Sequence, residues 1–290
     1  MEFLIIFEVL VPCMSEDKQE GESDGSSLVS DLFMELASHA RFLILMSLSR
    51  NPARMSSLAR EFDTTVQEVY RNLNRMIKAG LVRRHESIFY ITEYGRMVLN
   101  QISYFVFLKR YSAFLESHSL IESGIPSKFL HRIGSLGNCR IVNSETAVFQ
   151  HLKKLESSAD HTLKVMVAQG WPEEGQIFIE KAGAGVSIFL IVGHNTIIPK
   201  NVTERIGPSI EKLTSQGLFS RGMLEKVGAA VYIADNKQAA LMFSGEKGEV
   251  DMSILLSSYD PLFCEWCSDL FDYFWQHSKP FDASKLKVVE

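Results

Sequence analysis

The chain has 290 residues, about the length of two ordinary domains. Its hydrophobic content of 46% with 22% charged residues is typical of a globular protein and excludes a largely disordered chain. Lys and Arg number 30 against 35 Asp and Glu, which argues against a protein that coats nucleic acid indiscriminately, although a site-specific DNA-binding protein needs only a local positive patch.

The N-terminal segment MEFLIIFEVLVPCM is apolar but carries two glutamates and lacks the basic start of a secretory signal. It could be a weak membrane or partner contact, an additional helix or strand, or a start assigned too early, with Met14 as the true first residue; we favour the last two interpretations. Residues 15–31 hold six acidic residues and one lysine among glycines and serines, which predicts a linker. Residues 1–29 are therefore predicted to be flexible.

Order is predicted to begin near Ser30, where SDLFMELASHARFLILMSLS has the apolar spacing of one long helix. A short helix (MSSLAREF), a third helix (residues 64–80) and two β-like runs in LVRRHESIFYIT follow. EYGRMVLNQISYFVFLKRYSAFLESHS then predicts another long helix. The predicted order is helix, helix, helix, hairpin, helix.

The third helix has two distinct faces. Thr65-Val66-Gln67-Glu68 fits a capping box that starts the helix, and Gly80 is suited to end it. The positions predicted to face the core are Val66, Val69, Tyr70, Leu73, Met76 and Ile77. The positions predicted to face outwards are Gln67, Arg71, Asn74, Arg75 and Lys78.

The outward face can be an ordinary solvated face or a DNA-reading face. Between Arg50 and Asn100 nine basic residues stand against five acidic ones, an excess of four in a chain that is negative overall. Arg can read guanine bidentately, and Asn or Gln can read adenine. A short helix before and a basic hairpin after would let this helix lie in the major groove while the hairpin contacts the backbone or the minor groove. The pattern favours DNA binding.

SSLAREFDTTVQEVYRNLNRMIKAGLVRRHESIFYITEYGRMVL resembles the winged helix-turn-helix transcription regulators of the ArsR and MarR kind, particularly archaeal ones. The likeness is carried by LAREFDTTVQEVYRNLNRMIKAGLV and by YITEYGR after the wing. It implies an α+β winged-helix DNA-binding domain at residues 30–100, with double-stranded DNA as partner. The base or phosphate contacts that it implies are Thr65, Gln67, Arg71, Asn72, Arg75, Arg83 and Arg84. Some winged helices serve as protein-interaction modules, which is the alternative.

Residues 101–122 are predicted to be a linking or dimerisation helix. The run ISYFVFLKRYSAFLES is apolar nearly all round, more than one core contact requires. Related regulators pair their subunits through the helix after the wing, and a two-fold dimer would place two recognition helices on half-sites one turn apart. We favour a homodimer over the alternative that this helix is sandwiched between two domains of its own chain.

The second half has a different pattern of predicted secondary structure. Short β-branched runs (TLKVMVAQ, VSIFLIVG, AAVYIAD, AALMFS) alternate with helical ones, which predicts an α/β domain at residues 123–280 with a largely parallel sheet, followed by a tail at 281–290. Asp235-Asn236-Lys237-Gln238 predicts a hairpin turn. A ligand cavity is expected beyond the carboxyl ends of the strands, with Trp171-Pro172 at its rim.

IPSKFLHRIGSLGNCRIV, VYIADNKQAALMFS and VDMSILLSSYDPLFCEWCSDLFDYFWQHS resemble the effector domain of archaeal winged-helix regulators typified by the methanogenesis regulator of filamentous methanogens. The likeness spans about residues 125–277. It implies an α/β domain of phospholipase-D-like shape that senses a small-molecule effector and sets the affinity for DNA.

Phospholipase-D chemistry would need an H-x-K-x4-D motif. The two H-x-K runs begin at His151 and His277, and serine (Ser158 and Ser284) fills the Asp position in each. KAGAGVSIFLIVG has its glycines before a strand, whereas a dinucleotide fingerprint has them after one. We therefore expect no enzyme of either kind.

The four cysteines, Cys13, Cys139, Cys264 and Cys267, are few and form no even framework, which is typical of a reducing cytosol. Cys264 and Cys267 form one C-x-x-C without a second ligand pair at zinc-finger spacing. Cys267 lies in an apolar helical stripe, so we favour core packing over redox sensing and metal binding. No metal and no cofactor are expected.

No stretch reaches the roughly 18 to 20 apolar residues of a membrane helix, so a cytoplasmic protein is expected. The predicted function is a DNA-binding transcription regulator whose operator affinity is modulated by an effector bound to the C-terminal domain. A protein-interaction module is the second prediction, and an enzyme of phospholipase-D-like fold is the third.

Overall fold

The computed structural model describes residues 25–170 and 172–289 in two compact units, which divide between Asn100 and Gln101. The predictions for residues 1–24, including those for Cys13 and Met14, lie outside the described residues. No single helix of the described chain is long and apolar enough to cross a membrane; Ser27–Leu36 and His39–Arg50 pass that test only together, across a bend of 82°.

The first unit is a helical domain with a small antiparallel sheet in the strand order β1-β3-β2. Its elements are α1 (Gly25–Leu36), α2 (His39–Arg50), β1 (Ala53–Arg54), α3 (Met55–Glu61), α4 (Val66–Lys78), β2 (Val82–His85), β3 (Ile88–Ile91) and α5 (Glu93–Asn100). The predicted order of a short helix, a second helix and a hairpin is confirmed, and this is the arrangement of a winged helix.

The first predicted helix is two helices, and its start was placed too late. Residues 25–29, predicted to be flexible, belong to α1, and α1 and α2 meet at a sharp bend. Arg41 of α2 stabilises the break, since its guanidinium donates to the carbonyls of Met34 and Glu35 at 2.8 and 2.9 Å. Carbonyls that a longer helix would satisfy internally are thus satisfied by a side chain.

The second unit contains a nine-stranded sheet with helices on both faces. Its helices are α6 (Ile102–Arg110), α7 (Ser112–Ser117), α8 (Ser127–Leu130), α9 (Glu145–Ser157), α10 (Pro172–Gly183), α11 (Lys200–Ser215), α12 (Pro261–His277) and the 3-10 turns Ile133–Leu136 and Ala283–Lys285. Its strands are β4 (Arg140–Asn143), β5 (Thr162–Gln169), β6 (Ser187–Pro199), β7 (Phe219–Leu224), β8 (Ala229–Ala234), β9 (Gln238–Phe243), β10 (Ile254–Ser258), β11 (Lys279–Pro280) and β12 (Lys287–Val289).

The sheet is mixed, which corrects the prediction of a largely parallel one. Its order is β11-β7-β6-β5-β8-β9-β10-β4, with β12 paired to β6. Only β5, β6, β7 and β12 pair in parallel, while β4, β8, β9, β10 and β11 join antiparallel. The difference arises where no helix separates successive strands, as in the β8–β9 hairpin. The turn predicted there is confirmed, and both Asp235 (φ 53°) and Asn236 (φ 54°) adopt the left-handed conformation.

Each face of the sheet carries its own core, so the predicted α/β class is confirmed. One core contains α12 with the helices α6, α7 and α8, and the other contains α9, α10 and α11. The helix predicted over residues 93–119 is three helices that break at Gln101 and Tyr111. Phe107 and Phe114, from two of these helices, are buried in the first core.

Cys264 and Cys267 are both buried in α12. Burial raises the pKa of Cys264 to about 11 and that of Cys267 well above its ordinary value. Because the thiolate is the reactive form, buried thiols of this kind are inert side chains of the core. This environment favours the predicted packing role, and no cluster of three or more metal-ligating side chains occurs within the described chain.

One polar cluster is enclosed in the second core. Glu156 of α9, Glu174 of α10 and Tyr232 of β8 are all buried. The side chain of Glu174 neighbours both Glu156 and Tyr232. Burial and the neighbouring Glu174 raise the pKa of Glu156 well above that of an exposed carboxyl group, and the same causes raise the pKa of Tyr232. This environment favours the neutral, protonated form of the Glu156 carboxyl group.

The free energy of unfolding of the second unit is expected to decrease as pH rises from about 4.3, the ordinary pKa of Glu, to the raised pKa of Glu156. In that window the folded protein keeps a proton that the unfolded chain releases. Glu156→Gln is expected to abolish this pH dependence, because the amide side chain does not titrate. Urea titrations across the pH range measure it, with the exposed Glu145→Gln on the same helix as the control. Identical pH profiles for wild type and Glu156→Gln would contradict it.

Candidate nucleic-acid interface

The start of α4 is fixed by side-chain hydrogen bonds. The backbone N–H of Glu68 donates to the Thr65 hydroxyl at 3.1 Å, which confirms the predicted cap. The other half of the capping box differs, because the Glu68 carboxylate accepts from the Thr64 hydroxyl at 2.8 Å. Asp63, in the turn after α3, has a φ of 47°. Together these features set the position at which α4 leaves the helix-turn-helix.

The buried side of α4 is narrower than its sequence predicts. Val69, Leu73 and Met76 are fully buried, and Ile77 packs partly against them. Val66 and Tyr70 were predicted to face the core, and this was wrong: each is 48% exposed. The spacings 69, 73 and 76 define one line along the helix, and residues 66 and 70 lie beside that line at its edge. The accessible side of α4 therefore includes an aromatic ring as well as polar groups.

The predicted contact residues on α4 have different environments. Gln67 and Arg71 are exposed, and Arg71 makes no hydrogen bond or ion pair within residues 25–170 and 172–289. Thr65 is also exposed, and its hydroxyl can still donate while it caps the helix. Asn72 is half-buried on the flank. Arg71 is thus the predicted contact most available for a new partner.

Arg75 is held by an acidic residue of α1. Its Nη2 atom donates to Oε1 of Glu35 at 2.6 Å, and its Nε atom lies 3.2 Å from both carboxylate oxygens. Glu35 also pairs with Nε of Arg41 at 2.9 Å. The Glu35 carboxylate raises the pKa of Arg75 through the hydrogen bond and through its charge. The helical pattern of α4 carries no signal for this pairing, since Glu35 lies 40 positions earlier in the chain.

Arg83 and Arg84 lie on the short wing formed by β2 and β3, which are joined by a two-residue turn. Arg83 lies over the ring of its cross-strand partner Tyr90, at 4.9 Å, and Arg84 lies 5.8 Å from the ring of Phe89. Consecutive strand residues face opposite sides of a hairpin. The two predicted wing contacts therefore point to different sides, and one DNA groove would not receive both from the same side.

Glu35→Gln is expected to tighten DNA binding modestly, because the ion pair with Glu35 competes with DNA for the Arg75 guanidinium. The substitution removes a negative charge beside α4 and frees two donor nitrogens of Arg75. Anisotropy titrations with a labelled duplex measure the change, and Glu61→Gln on α3 is an exposed control of equal charge. Weaker binding by Glu35→Gln would show instead that Glu35 positions Arg75 for its contact.

A family model described as the MarR family matches residues 38–88. This segment runs from the residue before α2 to the start of β3 and includes the helix-turn-helix. It confirms the predicted winged-helix domain of MarR type. No protein of curated function matches the chain by sequence.

Similar solved structures include TrmBL2, an archaeal chromatin protein, at 13% identity and a TM-score of 0.40, covering 89% of this chain and 100% of that one. Nuc from Salmonella typhimurium, a phospholipase D family member, is 13% identical with a TM-score of 0.37, covering 50% and 99% of the two chains. NucT from Helicobacter pylori is 15% identical with a TM-score of 0.37, covering 49% and 100%.

Proposed function

We propose that this chain, with its winged-helix domain of MarR type, is a cytoplasmic DNA-binding transcription regulator. In this proposal α4 enters the major groove of double-stranded DNA, and Gln67 and Arg71 contact base edges. The observation that carries it is the exposed Arg71 on a helix that is capped at its start and packed along one line. Arg83 and Arg84 lie on opposite sides of the wing, so that one of the two would reach the DNA backbone in a given complex.

The test is DNA binding by the purified full chain. Duplexes selected from a genomic library by the immobilised protein supply the operator, and anisotropy gives its affinity. Binding through phosphate contacts should weaken with salt, with a slope in log K against log salt of about −0.9 for each contact. A flat salt response would remove DNA from the proposal.

A second candidate is a protein-interaction module, favoured by the exposure of Val66 and Tyr70 on the accessible side of α4. An apolar edge beside polar groups can contact a protein surface as well as the methyl group of a thymine base. Two variants separate the candidates: Tyr70→Ala should strongly weaken binding to a protein partner, whereas Arg71→Ala should weaken binding to DNA.

The second unit is proposed to sense a small-molecule effector, and the protein to act as a homodimer. A ligand that binds two conformations unequally would shift operator affinity by its differential binding energy. Phe105 and Val106 of α6 remain 44% and 41% exposed, which supports pairing through this helix. Sedimentation equilibrium tests the dimer, and a monomer mass at all concentrations would contradict it.

We do not propose an enzyme of phospholipase-D type. His151 lies within α9, and its Nε2 is 2.8 Å from the Ser257 hydroxyl. His277 ends α12, and its Nδ1 is 2.7 Å from the Tyr273 carbonyl. A phosphodiesterase screen with the purified protein tests this directly, and turnover lost in His151→Ala or His277→Ala would overturn it.

A further inference from the structure

The second unit has a cavity of about 110 Å³ between α10, α11 and strands β5 to β7. It lies at the carboxyl end of β5, where the sequence predicts a ligand cavity with Trp171-Pro172 at its rim. Trp171 itself lies outside the described residues. The volume is somewhat below the ~150 Å³ of an apolar protein cavity that holds benzene, so a ligand of about five non-hydrogen atoms fits this space.

The walls of this cavity are apolar except at two side chains. Phe178 of α10 and Ile206 and Ile210 of α11 supply apolar surface, whereas Glu174 and Arg221 are polar. Small-molecule sites in proteins commonly combine such apolar walls with a few polar groups that orient the ligand. The ligand that fits these walls is therefore largely apolar, and its polar group must match what the two polar side chains offer.

Arg221 of β7 has a buried donor without an acceptor. Its Nε atom is buried and forms no hydrogen bond within residues 25–170 and 172–289. Its Nη2 atom donates to Oε1 of Glu211 at 2.7 Å, and its Cζ atom lies 4.1 Å from the centre of the Phe281 ring. The N–H bonds of a guanidinium lie in its plane, so a ring over its face does not replace an acceptor. A buried donor without an acceptor costs free energy, which a ligand that carries an acceptor would recover.

The charges around the cavity favour a neutral acceptor over an anion. The positive charge of Arg221 is already offset by the Glu211 carboxylate in an ion pair. The other titratable group among the described lining residues is Glu174, which neighbours Glu156 and Tyr232. Glu174 adds no positive charge in either of its protonation states. An anionic ligand would therefore lose its hydration without gaining an uncommitted cation, whereas a carbonyl oxygen accepts a hydrogen bond and adds no charge.

We propose that this cavity binds a small neutral carbonyl compound, such as a ketone, an ester or an amide. The carbonyl oxygen accepts a hydrogen bond from Nε of Arg221, and the hydrocarbon body lies against Phe178, Ile206 and Ile210. A hydrogen bond to a charged donor is stronger than one between neutral groups, so this single contact orients the ligand. The assignment rests on the proposed sensing role only for its consequence at DNA, because ligand binding is measured without DNA.

The experiment compares butanone with 2-methyl-1-butene and propanoate, which have nearly the same size and shape. The alkene lacks the acceptor, and propanoate carries a negative charge. Protein-observed NMR titration of the full chain is expected to show butanone binding at least about fivefold more tightly than either, by virtue of the hydrogen bond to Arg221. The alkene is more hydrophobic than butanone, so the hydrophobic effect alone would give the reverse order. Equal or tighter binding of the alkene or of propanoate, or no binding of butanone, would overturn the proposal.

Two variants test the contact with Arg221. Arg221→Lys keeps the positive charge but places a methylene group at the position of Nε, so it is expected to lose the preference for butanone over the alkene. Arg205→Lys, at an exposed position of α11 outside the cavity, is the matched control and should keep the preference. Glu211→Gln should also keep it, and should bind propanoate more tightly than wild type does, because the charge of Arg221 is no longer offset. A preference that survives in Arg221→Lys would exclude Nε as the donor.

A further variant keeps the test decisive if Arg221→Lys fails to fold. A Cβ at Gly207, which lines the cavity, meets no atom within 4 Å. Gly207→Leu is therefore expected to fold, fill the cavity and lose butanone binding at least tenfold. Unchanged binding in Gly207→Leu would overturn the assignment to this cavity. If butanone binds here but the affinity for DNA does not respond to it, the cavity assignment stands and the sensing role fails.

Discussion

The double variant Arg71→Ala, Arg75→Ala is expected to bind its operator more weakly by roughly 2 to 6 kcal/mol, if each arginine reads a base at about 1 to 3 kcal/mol. The loss of operator affinity in Arg71→Ala is expected to reflect the DNA contact alone, because Arg71 is exposed and its guanidinium is available. Arg75 must share its donors with Glu35, so its substitution also leaves a carboxylate beside the DNA. Anisotropy titrations of the two single variants and the double variant measure these contributions.

The control is Lys153→Ala, Lys154→Ala, which removes two exposed positive charges from α9 of the second unit. It lowers the net charge equally but touches no predicted contact, so its affinity should stay within about twofold of wild type once salt screens distant charges. Adding Glu35→Gln to Arg75→Ala is expected to recover part of the loss, because the unpaired carboxylate is removed. An operator affinity unchanged in the double arginine variant would exclude α4 from the contact surface.

The sequence predicted the winged helix well because its signals are local. The cap at Thr65, the buried spacing of Val69, Leu73 and Met76, and the hairpin after Gly80 each depend on residues within one turn or one strand pair. The hairpin turn at residues 235–236 was predictable for the same reason. Local hydrogen bonds and helical periodicity determine these elements almost regardless of the remaining chain.

The features that were missed depend on distant residues. The pairing of Arg75 joins positions 40 apart, and the break after α1 depends on Arg41 satisfying carbonyls of the preceding helix. The direction of the strands in the second unit follows from long-range pairing. Hydrophobic periodicity does not show which strands pair or in which direction. The cluster of Glu156, Glu174 and Tyr232 brings together residues from three elements that are far apart in the sequence. No sequence motif around any of these residues predicts the cluster.

The width of the buried face of α4 could not be predicted from the sequence either. An apolar residue at helical spacing fits either the centre or the flank of a packed face, so Val66 and Tyr70 were indistinguishable from Val69 and Leu73. Only the width of the surface formed by α2, α3 and the small sheet decides which of them is covered. The helical moment gives the direction of a face but not its width.

Leu73→Ala is expected to destabilise the first unit by about 2 to 5 kcal/mol, because it opens a cavity in a fully packed site. Val66→Ala is the matched control: it has the same periodicity but is 48% exposed, so a loss of about 1 kcal/mol or less is expected. Differential scanning calorimetry of the full chain measures the difference between the two variants. The unfolding transition of the first unit should shift to lower temperature in Leu73→Ala, while that of the second unit should not change. Leu73→Ala should lose DNA binding at the temperature at which the first unit unfolds. The arginines of α4 are held in position only while its buried residues remain packed. Equal destabilisation by the two variants would mean that the buried line extends to Val66 and that the accessible side of α4 is narrower than the structure shows.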